Sequence, residues 1–254
     1  MFQPLRSVAK WLIAIAFMCL AGPALAQQTG KAGGFSKEEE AQIRTIVRDY
    51  LVNNPEVLEE AQRALQAKRD AEARKKQAEI GKSITADGRL MAFGPANAAV
   101  TLVEFYDYNC PYCKVSVTWM SKLVRERKDV RLIFVDFPIL GPTSQEAAMA
   151  AVASAKQGKS LQFHQELMGT KGRLTSDAIN QAARKVGIDV SRLRRDMNDP
   201  AIAKLLEDNR SRAVAAGVEG TPTFMLNGQL QSFGDERDLT AALNAAKAGP
   251  KRSR

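Results

Sequence analysis

The 254-residue sequence predicts an α/β domain that contains an inserted helical subdomain and follows a helical arm. Two nearly continuous apolar stretches, Val100–Tyr106 and Val130–Phe137, flank a helical stretch and predict a βαβ unit with parallel strands. The sequence from 144 to 218 has a helical pattern throughout, and a loop of that length is not expected in a compact domain. Apolar residues at helical spacing between 36 and 68 predict the arm.

The chain opens with a pattern that is typical of a signal peptide. Arg6 and Lys10 precede a short apolar stretch, and Ala24-Leu25-Ala26 is the small-x-small pattern at which signal peptidase cuts. We expect cleavage after Ala26, which also removes Cys19. The mature chain keeps most of its formal net charge of +9, but export to an oxidising compartment argues against a nucleic-acid partner.

Two helices are predicted in the arm. Ser36 and Glu39 form a capping-box signature at the start of the first helix. Asn53-Asn54-Pro55 ends that helix and begins a second one, with Asn54 as the expected N-cap.

The arm has an apolar face without a partner nearby in the sequence. This face packs either on the protein's own globular domain or on another copy of the chain. We favour a homo-oligomer formed through residues 36–80, because residues 68–77 have the charge pattern of a solvated spacer helix. The residues of this face are Ile43, Ile46, Val47, Tyr50, Leu51, Leu58, Ala61 and Leu65.

Short strand signals complete the globular domain. Leu90–Phe93 predicts an edge strand, and Asn227-Gly228 predicts a hairpin turn between two later strands. The predicted segments are a signal peptide at 1–26, a flexible leader at 27–35, a helical arm and linker at 36–87, the first part of the globular domain at 88–140, a helical insertion at 141–218, the second part at 219–248 and a basic tail at 249–254.

Both cysteines of the mature chain lie in Cys110-Pro111-Tyr112-Cys113, where a strand meets a helix. A helix N-terminus stabilises a thiolate through its free N–H groups and its dipole, so we expect Cys110 to be an exposed nucleophile of lowered pKa. Cys113, one turn further and more buried, would resolve the mixed disulfide. Pro111 suits the first turn because its nitrogen carries no hydrogen to leave unpaired.

Other uses of the two cysteines have less support. A closed zinc site needs four ligands, and His164 is the one histidine of the chain. A disulfide across so short a loop would stabilise little. We therefore expect redox chemistry without a cofactor. His164 is assigned to the surface or to packing, and Trp119 and Phe134 are assigned to the core.

Three features together resemble the DsbA-like family of bacterial periplasmic oxidoreductases in the thioredoxin superfamily. They are the segment from Val103 to Lys114, the helical insertion, and the segment Gly220-Thr221-Pro222-Thr223-Phe224. The resemblance covers roughly 88–247 and implies a thioredoxin fold in the periplasm. The N-terminal helices further resemble the suppressor of copper sensitivity C proteins and related oligomeric disulfide isomerases.

The resemblance adds residues to the candidate site. Thr221 and Pro222 match the family's cis-proline loop, which lies against the cysteines and pairs with the substrate backbone, although sequence alone predicts a trans bond. Glu104 matches the family's buried acid. A carboxylate in a strand covered on both faces is also desolvated, which raises its pKa and lets it exchange a proton near Cys113. The alternative is a wetted Glu104 at a strand end. Pro111 and Tyr112 join Thr221 as substrate-binding residues.

Tyr112 bears on the direction of electron transfer. Strongly oxidising members of the family carry Pro-His between the cysteines, whereas Tyr112 offers no cation to a thiolate. We expect a less oxidising couple, suited to an isomerase or reductase that acts on unfolded or misoxidised exported proteins and exchanges electrons with a DsbD-like reductase or DsbB-like oxidase in the membrane. The alternatives are a dithiol oxidase, a Cu(I)-binding protein using Cys110 and Cys113, and a scaffold with incidental cysteines.

Overall fold

The computed structural model describes residues 34–248. The predicted signal peptide, most of the leader and the basic tail lie outside the described residues. The chain divides into two compact units, with the boundary between Glu59 and Glu60. Within the described range, no helix has the length and apolar character that a membrane crossing requires.

The first helix, α1, covers Lys37–Asn53 and begins with the predicted capping box. The Ser36 hydroxyl accepts from the Glu39 N–H at 3.2 Å, and the Ser36 N–H donates to the Glu39 carboxylate at 2.8 Å. The prediction that Asn54 caps the following helix is wrong. Its amide group donates to the Tyr50 carbonyl at 2.9 Å, so this side chain instead closes the end of α1.

The second helix, α2, is continuous from Glu56 to Thr85, and its last turns pack on the sheet domain. Ile84 is buried there, and a Cβ added to Gly81 would lie 2.7 Å from the Gly228 Cα. We predicted that the globular domain starts at residue 88. The structure shows that it also includes the end of α2, which lies upstream of that residue. The sequence did not indicate this packing because the partners of α2 lie far along the chain.

Within residues 34–248, five strands form one mixed sheet in the order β1-β3-β2-β4-β5. The strands β2 and β3 run parallel, which confirms the predicted βαβ unit, and the other pairs are antiparallel. The turn at Asn227 and Gly228, both with positive φ, joins β4 and β5 as predicted. The strands are β1 Met91–Phe93, β2 Val100–Tyr106, β3 Val130–Asp136, β4 Thr223–Leu226 and β5 Gln229–Gln231.

Helices cover both faces of this sheet, and the predicted helical insertion lies between β3 and β4. One face carries Leu102 and Tyr106 and packs against α3, α9 and most of the insertion. The other face carries Val103 and Phe105 and packs against α8 and the end of α2. The helices are α3 Pro111–Glu126, α4 Pro142–Ser154, α5 Ser160–Gly169, α6 Ser176–Lys185, α7 Val190–Asp196, α8 Pro200–Ala216 and α9 Glu236–Ala248.

Candidate functional site

The two cysteines lie where β2 leads into α3. Cys110 occupies the N-cap position of α3, and Pro111 stands in the first turn, as predicted. The Cys110 N–H donates to the Asp107 carbonyl at 3.1 Å, which fixes the turn between the strand and the helix. The first N–H groups of α3 have no partners within the helix, so they are available to a thiolate at its start.

Cys110 and Cys113 are both free thiols, and their pKa values are shifted in opposite directions. The pKa of Cys110 is lowered to about 5, chiefly because the Cys113 thiol donates a hydrogen bond to the thiolate, and burial opposes this effect. The Thr221 side chain and the N–H groups of Cys113 and Tyr112 also favour the thiolate. Burial raises the pKa of Cys113 far above its ordinary value. At neutral pH, Cys110 is therefore the ionised member of the pair.

The expectation of an exposed Cys110 is wrong for this structure. Its relative exposure is 3%, compared with 0% for Cys113. The Thr221 carbonyl lies over it and accepts a hydrogen bond from the protonated thiol at 3.0 Å. The covering loop follows the helical insertion, 111 residues away in sequence, so local sequence cannot show that it closes over the sulfur.

Glu104 is fully enclosed beneath the motif. It is 2% exposed, and its carboxylate accepts from the Ser116 hydroxyl at 2.5 Å. Burial raises the pKa of Glu104 to about 8, against the opposing effect of the Ser116 hydrogen bond. The alternative of a wetted strand end is excluded by this burial. Sequence reasoning missed Ser116, which its position three residues after Cys113 on the buried side of α3 could have indicated.

The Thr221–Pro222 peptide bond is cis, as the family resemblance implied and as sequence alone did not. Pro222 borders an open groove of about 330 Å³ beside the motif. Tyr112, in the same groove, is 74% exposed. The assignment of Trp119 to the core needs correction. This side chain packs against the core but is only partly buried, and it forms one wall of the groove. The other groove residues are Val115, Thr221, Phe224, Ser232, Phe233 and Gly234.

A network of buried polar side chains fixes the loop before Cys110. The Asp107 carboxylate accepts from the Asn109 N–H and the Ser144 hydroxyl, both at 2.7 Å. Asn109 donates from its amide to the Thr143 hydroxyl at 3.0 Å and accepts from the Leu174 N–H at 2.7 Å. The active-site loop is thereby tied to the helical insertion. Asp107 and Asn109 were not predicted as anchors, because the residues of the insertion that they bind are distant in the chain.

His164 and Phe134 are both buried, which confirms packing for His164 and excludes its surface alternative. The His164 Nδ1 atom lies 3.1 Å from the Tyr108 hydroxyl, and burial lowers the pKa of the imidazole to about 3. His164 is therefore neutral. Among residues 34–248, no group of three or more His, Cys, Asp or Glu side chains is arranged to hold a metal ion.

The fold matches that of a known family. Residues 101–242 match the DSBA-like thioredoxin domain. The chain belongs to the DSBA-like family. It is thus a member of a family of thiol-disulfide oxidoreductases, as the motifs around Cys110 and Pro222 indicated. Residues 39–72 match the N-terminal domain of the copper resistance protein ScsC, which confirms the second resemblance.

Several solved structures are similar to this chain. ScsC from Proteus mirabilis in a transitional conformation is 30% identical and has a TM-score of 0.63, over 84% of this chain and 99% of that one. A thioredoxin-like oxidoreductase from Silicibacter pomeroyi is 36% identical with a TM-score of 0.62, over 66% and 98%. A periplasmic thioredoxin-like protein from Salmonella enterica is 29% identical with a TM-score of 0.61, over 67% and 97%.

The sequence relatives include much longer proteins. The Na(+)/H(+) antiporter NhaA 1 of Salinispora arenicola is 32% identical over 162 residues, which are 62% of this chain but 25% of the antiporter. The probable disulfide bond formation protein D of Bacillus cereus is 28% identical over 163 residues, which are 59% of this chain and 76% of that protein. The DSBA-like chain thus spans about a quarter of the antiporter's length.

Proposed function

We propose that this protein is a periplasmic thiol-disulfide isomerase or reductase of exported proteins. One observation carries the proposal: the pKa of Cys110 is lowered to about 5 while Cys113 is fully buried with a raised pKa. The first thiol is therefore a nucleophile at neutral pH, and the second stays protonated until a mixed disulfide forms. Membership of the DSBA-like family supports the same chemistry.

Each step conserves atoms and electrons. The Cys110 thiolate attacks one sulfur of a substrate disulfide, the substrate S–S bond breaks, and the other substrate sulfur leaves as a thiolate. In the reductase direction, Cys113 loses its proton and attacks the Cys110 sulfur, which releases the second substrate thiolate and leaves a Cys110–Cys113 disulfide. Two electrons pass to the substrate. In isomerisation, a different substrate thiolate attacks the mixed disulfide, and Cys110 is returned as a thiolate.

Glu104 is proposed to receive the proton of Cys113. With a pKa of about 8, roughly a tenth of the Glu104 side chains are ionised at pH 7, and this fraction can accept the proton. The 2.5 Å hydrogen bond from Ser116, which lies on the same helix as Cys113, supports this role. The proposed substrate-binding residues are Pro111, Tyr112 and Thr221, and Pro222 of the cis-proline loop is proposed as a catalytic residue. An extended substrate would lie against this loop, with an apolar side chain in the adjoining groove.

The pKa of Cys110 bears on whether the protein oxidises or reduces its substrates. A value of about 5 lies between roughly 7 for thioredoxin and roughly 3.5 for DsbA. A less stable thiolate makes the reduced form less favoured and the disulfide a weaker oxidant. Tyr112 supplies no cation that would lower this pKa further. The couple is therefore proposed to be less oxidising than DsbA, and a DsbD-like membrane reductase is the favoured redox partner over a DsbB-like oxidase.

Equilibration with glutathione tests this direction. We expect a reduction potential clearly below the roughly −120 mV of DsbA, and a higher potential in the matched variant Tyr112→His. The protein should also reactivate a scrambled multi-disulfide protein, while Cys110→Ser should not. A potential as high as that of DsbA would instead support the dithiol oxidase. Unchanged biological activity in Cys110→Ser would support the scaffold.

Cu(I) capture is a second candidate, favoured by the match of residues 39–72 to a copper resistance protein domain. Two thiolates suit this soft ion, but deprotonating the buried Cys113 opposes binding. Competition against a chelator of known affinity measures it. Tight binding without disulfide exchange would favour the copper protein, whereas exchange in copper-free buffer would favour the enzyme.

The proposed location is the periplasm, and the proposed assembly is a homo-oligomer. The predicted cleavage after Ala26 supports export, and the Salmonella relative is described as periplasmic. Exposed apolar residues on α1 support a homo-oligomer through residues 36–80. Several catalytic domains around one substrate would suit an isomerase. Fractionation of the expressed full chain, with N-terminal sequencing, checks the first point.

A further inference from the structure

A short loop of the helical insertion, residues 170–174, is fastened beside the active-site cysteines. Lys114, one turn beyond Cys110 on α3, donates from Nζ to the carbonyls of Thr170 and Gly172, each at 2.6 Å. On the other side of the motif, the loop's Leu174 N–H donates to the Asn109 side chain at 2.7 Å. The loop is therefore held by the two residues that flank the motif, Asn109 and Lys114.

This cationic loop carries two exposed positive charges, Lys171 and Arg173. Within residues 34–248, neither has a carboxylate oxygen within the 4.0 Å of an ion pair. Arg173 instead donates to the Leu140 carbonyl at 2.5 Å, which holds its guanidinium at the rim of the site. Several other cations of the insertion do have carboxylate partners, as in the pairs Lys156–Asp199, Lys185–Glu166, Arg192–Asp196 and Arg194–Glu146.

The remaining charges near the motif leave a positive surplus. Glu219 is the one exposed carboxylate in the segments 107–115, 138–144, 170–174 and 219–222 of the described chain, which hold the motif or contact it. Asp107 is buried, and its oxygens are occupied by hydrogen bonds. Because the loop contacts both residues that flank the motif, its charges can act on a substrate held at Cys110, and more strongly at low salt.

We propose that the cationic loop selects peptide disulfides that have carboxylates beside the target cysteine. This inference rests on the proposed function, since it names the substrate class for the same nucleophile. An anionic substrate would be attracted during encounter and stabilised in the mixed disulfide with Cys110. A cationic substrate would be repelled to a similar degree.

Two small disulfides of opposite charge test the inference. Reduced full-length protein is mixed with excess oxidised glutathione, which is anionic, or with cystamine, which is cationic, and the loss of free thiols is followed by quenched alkylation. In each reaction two electrons pass to the probe, giving two small thiols and the Cys110–Cys113 disulfide. We expect Lys171→Glu to lower the ratio of the glutathione rate to the cystamine rate about fivefold, and Lys171→Gln about twofold. High salt should reduce both effects.

Arg125→Glu is the matched control. This substitution makes the same change in net charge as Lys171→Glu. Arg125 is also exposed and has no ion-pair partner in the described chain. It lies fifteen residues after Cys110, which is about 22 Å along α3. Its rate ratio should equal that of the wild type. An unchanged ratio in Lys171→Glu, with wild-type protein reacting with both probes, would overturn the loop inference alone. Failure of the wild type to react with either probe would overturn the proposed function.

Discussion

In the proposed reaction, Cys113 contributes to the reactivity of Cys110 before it attacks the mixed disulfide. The hydrogen bond from its thiol is the largest cause of the lowered pKa of Cys110. A buried donor beside a thiolate is effective because water does not compete for the sulfur. The resolving cysteine is therefore expected to tune the nucleophile as well as to displace it.

Replacing Cys113 tests this tuning. We expect Cys113→Ala to raise the pKa of Cys110 above its value of about 5, because the donor is lost. Cys113→Ser keeps a hydroxyl donor and should give an intermediate value. The measurement is the pH dependence of iodoacetamide alkylation at Cys110, read by mass spectrometry. Equal midpoints in the wild type and Cys113→Ala would contradict this account.

Glu104 links the site to stability. Burial raises its pKa from 4.5 to about 8, so the folded chain keeps a proton that the unfolded chain releases above roughly pH 4.5. The unfolded state therefore binds fewer protons between these values, and the free energy of unfolding falls as the pH rises towards 8.

Glu104→Gln should remove this dependence because glutamine does not titrate. We expect the reduced variant to gain roughly 3 kcal/mol of unfolding free energy over the reduced wild type between pH 5 and pH 8. Urea unfolding at both pH values measures it. The comparison between the two proteins cancels other titrating groups, such as Asp136, whose pKa burial raises to about 7. Parallel pH profiles for the two proteins would contradict the burial of a protonated Glu104.

Among the elements, α2 is the one whose role differs most from its sequence pattern. Its last turns approach the β4–β5 hairpin so closely that backbone meets backbone at Gly81 and Gly228. Gln77 adds hydrogen bonds from its amide to the Ala216 carbonyl and from the Leu230 N–H to its oxygen, both at 3.2 Å. The end of α2 is thus part of the globular domain.

Gly81→Ala tests this contact. In an exposed helix, this change stabilises by roughly 1 kcal/mol, but here the new Cβ would lie 2.7 Å from the Gly228 Cα. We expect a loss of about 1–3 kcal/mol of unfolding free energy in urea titration. The matched control is Gly169→Ala at the end of α5, where nothing lies within 4 Å of the added Cβ. A stabilised Gly81→Ala would show that this contact is not close.

At the scale of the whole molecule, the apolar face of α1 is an exposed apolar surface of the described chain. Ile46 is 67% exposed, and Ile43, Val47 and Tyr50 are also exposed. An amphipathic helix of this kind gains stability by burying its apolar stripe against a partner. This arrangement supports assembly of the chain into an oligomer.

Ile46→Glu should weaken that assembly. We expect light scattering on the full-length protein to show dissociation, because a carboxylate would have to be buried in the interface. Exchange with oxidised glutathione should persist, while reactivation of scrambled substrates should fall if isomerisation needs several catalytic domains. Thr45→Glu, which places the same charge on the opposite side of α1, is the control. A monomeric wild type would contradict the proposed assembly.

Much of the fold was predictable because its signals are local. The continuous apolar strands, the Asn227-Gly228 turn, the capping box at Ser36 and the long helical stretch all depend on residues close together in sequence, and each predicted element is present. The Cys110 motif was predictable for the same reason. Asn54 was assigned to the wrong helix because either neighbouring helix end can bind its side chain.

The remaining features of the site depend on residues brought together only by folding. The sequence by itself determined the Cys110-Pro111-Tyr112-Cys113 motif, its place at a helix N-terminus and the order of the elements, because short-range patterns encode them. The tertiary structure decided that Thr221 covers Cys110, that Ser116 meets Glu104 and that the loop 170–174 lies beside the motif. These contacts join distant parts of the chain, and their strength depends on burial that hydrophobic periodicity does not specify.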